Sequence, residues 1–169
     1  MNTKDMAKIA MIAAVYTAVS LAIAPLVYGP VQVRISEALT LLPLIYRPAI
    51  PAVTLGCFLT NLIGAMTGAN PTGMIDSVVG TSATLIAAWL TWKLRDRKYK
   101  DLPVLSILQP VFWNFLIVGA ELGVLFFPDN IIRGSLICGL EVAVGELISV
   151  VLGWFLVQWL AKTKYFKEG

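Results

Sequence analysis

Five carboxylates stand inside otherwise apolar stretches of this chain: Glu37, Asp76, Glu121, Glu141 and Glu146. Three amides, Asn61, Gln109 and Asn114, share those stretches, and Trp113 adjoins the last of them. Only Arg34 and Arg133 bring positive charge to the same regions. A carboxylate accepts two neighbouring N–H groups at once. The N1–H and amino group of a guanine-like ring form such a pair, and an amide reads the adjacent carbonyl. The Trp113 ring offers a stacking face to a flat heterocycle or a cation. Each acid also has a bland reading as a helix-packing hydrogen-bond partner. Arg34 and Glu37, at i and i+3, have the spacing of a structural helical ion pair. The surplus of acids over basic partners, rather than any one acid, points to a ligand.

Several chemistries are disfavoured. The chain has no histidine, so the commonest general base and metal ligand is missing. Cys57 and Cys138 each lie in an apolar run and read as small core residues, not as a disulfide or metal site. No phosphate-binding G-x-x-x-x-G-K-[ST] loop occurs, and neither G-x-S-x-G nor H-E-x-x-H is present. An intramembrane aspartyl hydrolase needs two acids in a set geometry, and Asp76 is the single Asp deep in an apolar stretch. The expectation is a non-enzyme with no cofactor and no metal.

The elements that must position these residues follow from composition. Of 169 residues 58% are hydrophobic and 14% charged, against roughly 45–50% and about 25% in soluble domains. That balance predicts one all-α membrane domain, 1–169, a bundle of six transmembrane helices. The spans are expected at Ile9–Val27, Val31–Tyr46, Ala49–Met66, Met74–Leu94, Leu102–Phe127 and Ile132–Leu160. Helix is required because lipid offers the backbone no hydrogen bonds, and the long unbroken apolar runs do not alternate as barrel strands do. The first run has 19 residues, longer than the roughly 7–15 of a signal-peptide core, and reads as a retained span. Span two has 16 residues. At about 1.5 Å per residue it reaches only ~24 Å of a ~30 Å hydrocarbon core, so neighbours shield it or part of it lines a cavity.

Basic residues set the orientation. Lys4, Lys8, Arg47, Lys93, Arg95, Arg97, Lys98, Lys100, Lys162, Lys164 and Lys167 fall on one side, and Arg34 and Arg133 on the other, 11 against 2. Both termini are therefore expected in the cytoplasm. Trp89, Trp92, Tyr99, Trp154, Trp159 and Tyr165 gather toward the same side as an interfacial belt. The net charge of +3 is thus a topology signal and implies no nucleic acid. Glu37, Asn61, Asp76, Glu121 and Glu141 then fall in the outer half of the bundle, with Asn114 and Glu146 nearer mid-depth.

Span one carries a ladder, Ala10, Ala14, Ala18 and Ala22, at a strict spacing of four. Such a stripe lets another helix approach closely in lipid. It packs against the protein's own helices or docks a separate membrane protein; the spacing alone leaves both open. No inverted repeat is visible, which disfavours a stand-alone secondary transporter. A small binding subunit that borrows energy from a partner fits better.

The stretch Val31-Gln32-Val33-Arg34-Ile35-Ser36-Glu37-Ala38-Leu39-Thr40-Leu41-Leu42-Pro43, with the ladder and the six-span layout, resembles the QueT family. These are the substrate-binding S-components of energy-coupling-factor (ECF) transporters for queuosine precursors. The resemblance implies a six-helix fold with cytoplasmic termini. It implies a micronutrient, here a 7-deazaguanine base, bound near the outer face under the loops Tyr28–Arg34 and Thr67–Gly73. It also implies partners: a membrane coupling protein (EcfT-like), docked on Ala10, Ala14 and Ala18, and two cytosolic ATPase subunits. The subunit would deliver its ligand by toppling in the bilayer. The candidate substrate-binding residues are Arg34, Glu37, Asn61, Asp76, Trp113, Asn114, Glu121 and Glu141. The alternatives are an S-component for another vitamin-like heterocycle and a non-transporting structural subunit.

Overall fold

The computed structural model describes residues 3–29 and 32–163. Pro30 and Val31 of the first loop lie outside the described residues, as do Lys164, Tyr165 and Lys167 of the basic, aromatic tail. The described residues form α1 (Thr3–Ala22), the short α2 (Ala24–Val27), a 3-10 helix (Ile35–Leu44), α3 (Ala49–Met66) and α4 (Ile75–Lys93). After these come α5 (Val104–Ile107), α6 (Gln109–Phe126), a 3-10 turn (Pro128–Asn130) and α7 (Ile131–Leu160). No β-strand occurs among the described residues, which leaves an all-helical chain with backbone bonds satisfied within each segment.

Four helical stretches are long and apolar enough to cross a membrane: Thr3–Ala22, Ala49–Met66, Val104–Phe126 and Pro128–Leu160. The other two expected spans differ from these in kind. Helix α4 has 19 residues, long enough at about 1.5 Å each to cross ~28 Å. Its inner face is polar, with Asp76, Ser77, Thr84 and Thr91 all buried. The expected second α-helical span is instead a 3-10 helix of 10 residues, which covers ~20 Å at about 2.0 Å each. Two features work against an α-helix here. Pro43 has no N–H to donate, and the Thr40 hydroxyl donates to the Glu37 carbonyl at 2.5 Å. This short element is shielded by neighbours: α1, α3, α4 and α7 all pack on it, and Ser36, Glu37, Ala38 and Thr40 to Pro43 are buried.

Helix α1 stops at Ala22 because Pro25 lacks the N–H that would continue the ladder. Small residues set how closely the helices approach. A Cβ on Gly56 of α3 would lie 2.7 Å from the Tyr16 side chain of α1, and one on Gly119 of α6 would lie 2.7 Å from the Gly139 backbone of α7. Such contacts are how helices gain dispersion energy in lipid, where apolar burial supplies little drive between them.

The main apolar core sits at one end of the bundle, around Leu41, Leu42, Tyr46, Val53, Val150 and Val157. Cationic side chains stacked on aromatic rings close that end. Arg47 and Arg95 lie 4.5 and 4.8 Å from the Trp92 ring centroid, Lys93 lies 4.6 Å from Trp89, and Lys8 lies 5.1 Å from Tyr46. A cleft of about 240 Å³ between Arg95, Lys98, Trp154 and Gln158 adjoins it. Basic residues from the start of α1, the start of α3 and the end of α4 are thus brought to one end, together with indole rings.

Candidate functional site

The opposite half of the bundle buries polar groups. Arg34 precedes the 3-10 helix with φ −100° and ψ 83°, outside helical geometry. The helical i,i+3 spacing to Glu37 therefore does not apply, and the expected Arg34–Glu37 pair is replaced. The Arg34 Nη2 group instead donates to Asp76 Oδ2 at 3.0 Å, with side chains 5% and 2% exposed, and to Gln32 Oε1 at 3.2 Å. Ser149 of α7 donates to the Arg34 carbonyl at 2.8 Å and holds this turn against the last helix. Gly145, one turn before it, leaves room for the Gln32 carbonyl, which a Cβ there would strike.

Asp76 is shared by three elements. Besides Arg34, its Oδ2 accepts from Asn70 Nδ2 at 3.0 Å, and its backbone carbonyl accepts from Asn61 Nδ2 at 3.0 Å. Asn70 belongs to the Gly-rich loop between α3 and α4. Gly68 and Gly73 take φ of 73° and 63° there, which bends the loop back over the site. The Thr72 backbone N–H and hydroxyl donate to Asn70 Oδ1 at 3.1 and 2.6 Å, fixing its carboxamide toward Asp76.

Glu37 forms a second node. It accepts from the Tyr16 hydroxyl of α1 and from the Thr84 hydroxyl of α4, the latter at 3.2 Å. Thr84 also lies 3.3 Å from Cys57 Sγ, and Asn61 Nδ2 lies 3.6 Å from that sulfur, so the two nodes meet across α3. On the other flank, Asn114 of α6 donates to Glu146 Oε1 of α7 at 3.1 Å.

Of the expected site residues, Arg34, Glu37, Asn61 and Asp76 come together. Asn114 is drawn to Glu146 and not to Glu121, its expected face-mate on α6. Glu121 is 7% exposed, with no partner on either oxygen. Glu141 is half-buried and lines a cleft of about 330 Å³ with Tyr28, Gln32, Pro71, Leu122 and Phe127. Trp113 is half-buried; its indole N–H donates to Gln109 Oε1 at 3.0 Å and its ring stands edge-on to Phe112. The sequence reading missed Tyr16, Gln32, Asn70 and Thr84, and left Glu146 outside its site. Tyr16 and Ser20 did carry a signal, a polar i,i+4 pair on the face of α1 opposite the ladder.

Bonding capacity is left open at the centre. Arg34 Nε, Glu37 Oε2, Asn61 Oδ1, Asp76 Oδ1 and Glu146 Oε2 are buried without a partner. Native interiors satisfy nearly all such groups through protein or ordered water, so this cluster of unpaired polar atoms marks the polar half as a candidate site. They comprise acceptors on Glu37, Asn61, Asp76 and Glu146 and one donor on Arg34.

A family model described as the QueT transporter matches residues 6–162. The chain belongs to the QueT transporter family. One relative, the Queuosine precursor transporter QueT of Lactococcus lactis subsp. cremoris (strain MG1363), is 29% identical over 172 residues, covering 95% of this chain and 94% of that protein. No solved structure matches. A QueT family member is a transporter and not an enzyme, and with several apolar helices this one is a multi-pass protein of the cell membrane.

The alanine ladder finds its place in the same frame. Ala10, Ala14 and Ala18 are all exposed, while Ile9, Ile12, Ala13, Tyr16, Thr17 and Ser20 form the buried face of α1. The reading in which the ladder packs against the protein's own helices is therefore overturned, since Tyr16 and Thr17 take that role against Gly56.

Proposed function

We propose that this chain is the substrate-binding S-component of an ECF importer and that it binds a queuosine precursor, a 7-deazaguanine base, near the outer face. The observation that carries this reading is the buried cluster of Arg34, Glu37, Asn61 and Asp76, each with a polar atom that no other group of the chain pairs. A 7-deazaguanine presents N1–H and an exocyclic amino group side by side, with a carbonyl next to them. Carboxylate oxygens accept the adjacent N–H pair, and a guanidinium N–H meets the carbonyl. Asn70, bonded to Asp76, couples the position of the 67–73 loop to occupancy of the site. The Trp113 ring, Asn114, Glu121 and Glu141 complete the walls.

In this reading the six apolar segments cross the bilayer with both termini in the cytoplasm. The 3-10 helix forms the second crossing inside a jacket of other helices, where its short length is tolerated. The exposed Ala10, Ala14 and Ala18 face docks a membrane coupling protein (EcfT-like), with two cytosolic ATPase subunits supplying energy. The loaded subunit topples in the bilayer and opens its outer end toward the cytoplasm.

Calorimetry on the purified chain tests the substrate, with 7-deazaguanine as ligand and guanine and thiamine as comparators. Selective binding of the deazaguanine is expected. Tight thiamine binding with no response to deazaguanine overturns the assignment, and no binding to any heterocycle returns the chain to a structural role. Ala14→Trp separates docking from binding. Uptake by the full complex is expected to be lost, with ligand affinity in the isolated subunit retained, because the ladder faces away from the site.

A further inference from the structure

At the basic end of the bundle two hollows meet. The first is the cleft of about 240 Å³, whose lining includes Arg95, Asp96, Lys98, Asp101 and Trp154. The second is an apolar groove of about 260 Å³ between α5 and α7, whose lining includes Leu102, Val104, Val150, Val151 and Trp154. Trp154 is common to both, and Pro103 of the cleft sits between Leu102 and Val104 of the groove. One stripe of α7 runs through them, Val150 and Trp154 in the groove and then Val157 and Ala161 in the cleft. At about 1.5 Å per residue that stripe is ~16 Å long. The groove has a cause in the sequence. Pro110 has no N–H to continue a helix through Leu108, so α6 packs closely along α7 while the short α5 makes little contact with it.

The cleft carries charges of both signs. The Arg95 guanidinium is held in place: Nη1 donates to the Trp92 carbonyl at 2.9 Å, and the group stacks on the Trp92 ring. Its Nη2 lies 3.9 Å from Asp96 Oδ2, but the Asp96 side chain is 84% exposed, so water screens that pair. Asp101 is set by a tight turn. Tyr99 and Leu102 exchange backbone hydrogen bonds of 2.9 and 3.1 Å, and Lys100 and Asp101 between them take φ of 46° and 66°. Two cations with two carboxylates do not suit a plain anion. They suit a headgroup that carries phosphate and ammonium together. Arg95 and Lys98 match the phosphate oxygens, and the carboxylates accept from the ammonium. A hollow of about 390 Å³ between α3 and α4, around Ile50, Leu55, Phe58 and Leu85, has no charged residue in its lining. That surface meets lipid tails and offers a headgroup nothing.

We propose that the joined cleft and groove hold one phospholipid of the leaflet at the basic end, with a headgroup that pairs a phosphate with a primary ammonium, as in phosphatidylethanolamine. Arg95 and Lys98 take the phosphate, and Asp96 and Asp101 take the ammonium. One acyl chain lies along Val150 and Val151 and fills the gap that the break before Pro110 leaves between α5 and α7.

Native mass spectrometry of the purified chain tests this, with dioleoyl phosphatidylethanolamine, phosphatidylcholine and phosphatidylglycerol in competition. The choline headgroup keeps the positive charge and has no N–H; the glycerol headgroup has no cation. Phosphatidylethanolamine is expected to be retained about tenfold or more over both, the scale of one charge-assisted hydrogen bond. Asp96→Asn combined with Asp101→Asn is expected to erase that preference; asparagine tolerates the left-handed backbone at 101. Val151→Trp fills the groove and is expected to lower retention of all three lipids, whereas Leu55→Trp, in the α3–α4 hollow, is expected to change nothing. All four positions are exposed, so the fold is kept. Glycerophosphoethanolamine, the same headgroup without chains, is expected not to compete. Equal retention of the three lipids overturns the proposal, and so does a preference for phosphatidylglycerol, which would make the site one for anionic lipid. A preference that survives the double asparagine variant overturns the role of the acids. Equal losses in Val151→Trp and Leu55→Trp remove the groove from the site, and competition by the soluble headgroup at lipid concentrations makes the ligand a soluble one.

Discussion

The 10-residue 3-10 helix passes through two kinds of interior. Its first turns carry Ser36, Glu37 and Thr40 into a polar half, where Ser36 accepts from Ser20 at 2.6 Å and Glu37 is held by Tyr16 and Thr84. Its last turn carries Leu41, Leu42 and Pro43 into an apolar half, closed at its end by Trp92 between Arg47 and Arg95. The apolar half is complete in itself, since its groups gain by packing alone. The polar half is not, because Glu37, Asn61, Asp76 and Arg34 each retain an unused bonding position. One end therefore holds the bundle together by packing, and the other is the end proposed to receive a ligand.

That division is open to direct attack. Arg34→Met leaves Asp76 buried without its charge partner, a change that costs about 3–5 kcal/mol. Thermal unfolding in detergent and calorimetry are expected to show large losses of both stability and binding. Adding Asp76→Leu is expected to restore much of the stability and none of the binding. Restored binding would mean that the pair is only structural. At the apolar end, Leu41→Ala opens a cavity beside Val53 and Val150 at a cost of about 2–5 kcal/mol. Unfolding is expected to come earlier while affinity for the base is kept; a parallel loss of affinity would show that the two halves are not separable. The smallest effect is expected from Trp92→Leu, which removes two cation–ring contacts worth about 0.5–1 kcal/mol each at exposed sites. A shift in unfolding much larger than that would make the closure of this end a principal support of the fold.

Much of the architecture was legible in the residues. Long apolar runs have one solution in lipid, so the helical class, the bounds of α3 and the end of α6 follow from composition and from the breaks at Arg47-Pro48 and Pro128; the expected start at Leu102 does not hold, because the chain breaks at Leu108 before Pro110 and α6 begins at Gln109. The second span shows where this reasoning stops. Hydropathy reports that 31–46 avoids water, and it does not report helix type. The 3-10 form depends on Pro43, on Thr40 bonding back to Glu37, and on a central position among four helices. The acids Glu37 and Asp76 stood out because charge is rare in such runs. Tyr16 and Thr84 did not, because a hydroxyl at an ordinary helix position looks the same whether it meets a carboxylate or a neighbouring carbonyl.

By itself, the sequence determined that this protein lives in a membrane as helices. It determined that its basic residues gather at one end, and that its first helix has one stripe of small side chains. These are one-dimensional properties, set by hydropathy, charge and a period of nearly four. Only the tertiary structure decided that the stripe faces outward and that Arg34 pairs with Asp76, 42 residues away, and not with Glu37. It also decided that Glu121 is left with no partner. Pairing between buried polar groups depends on which helix faces meet and on how closely glycines such as Gly56 and Gly145 let them approach. The spacing along one chain carries no record of that.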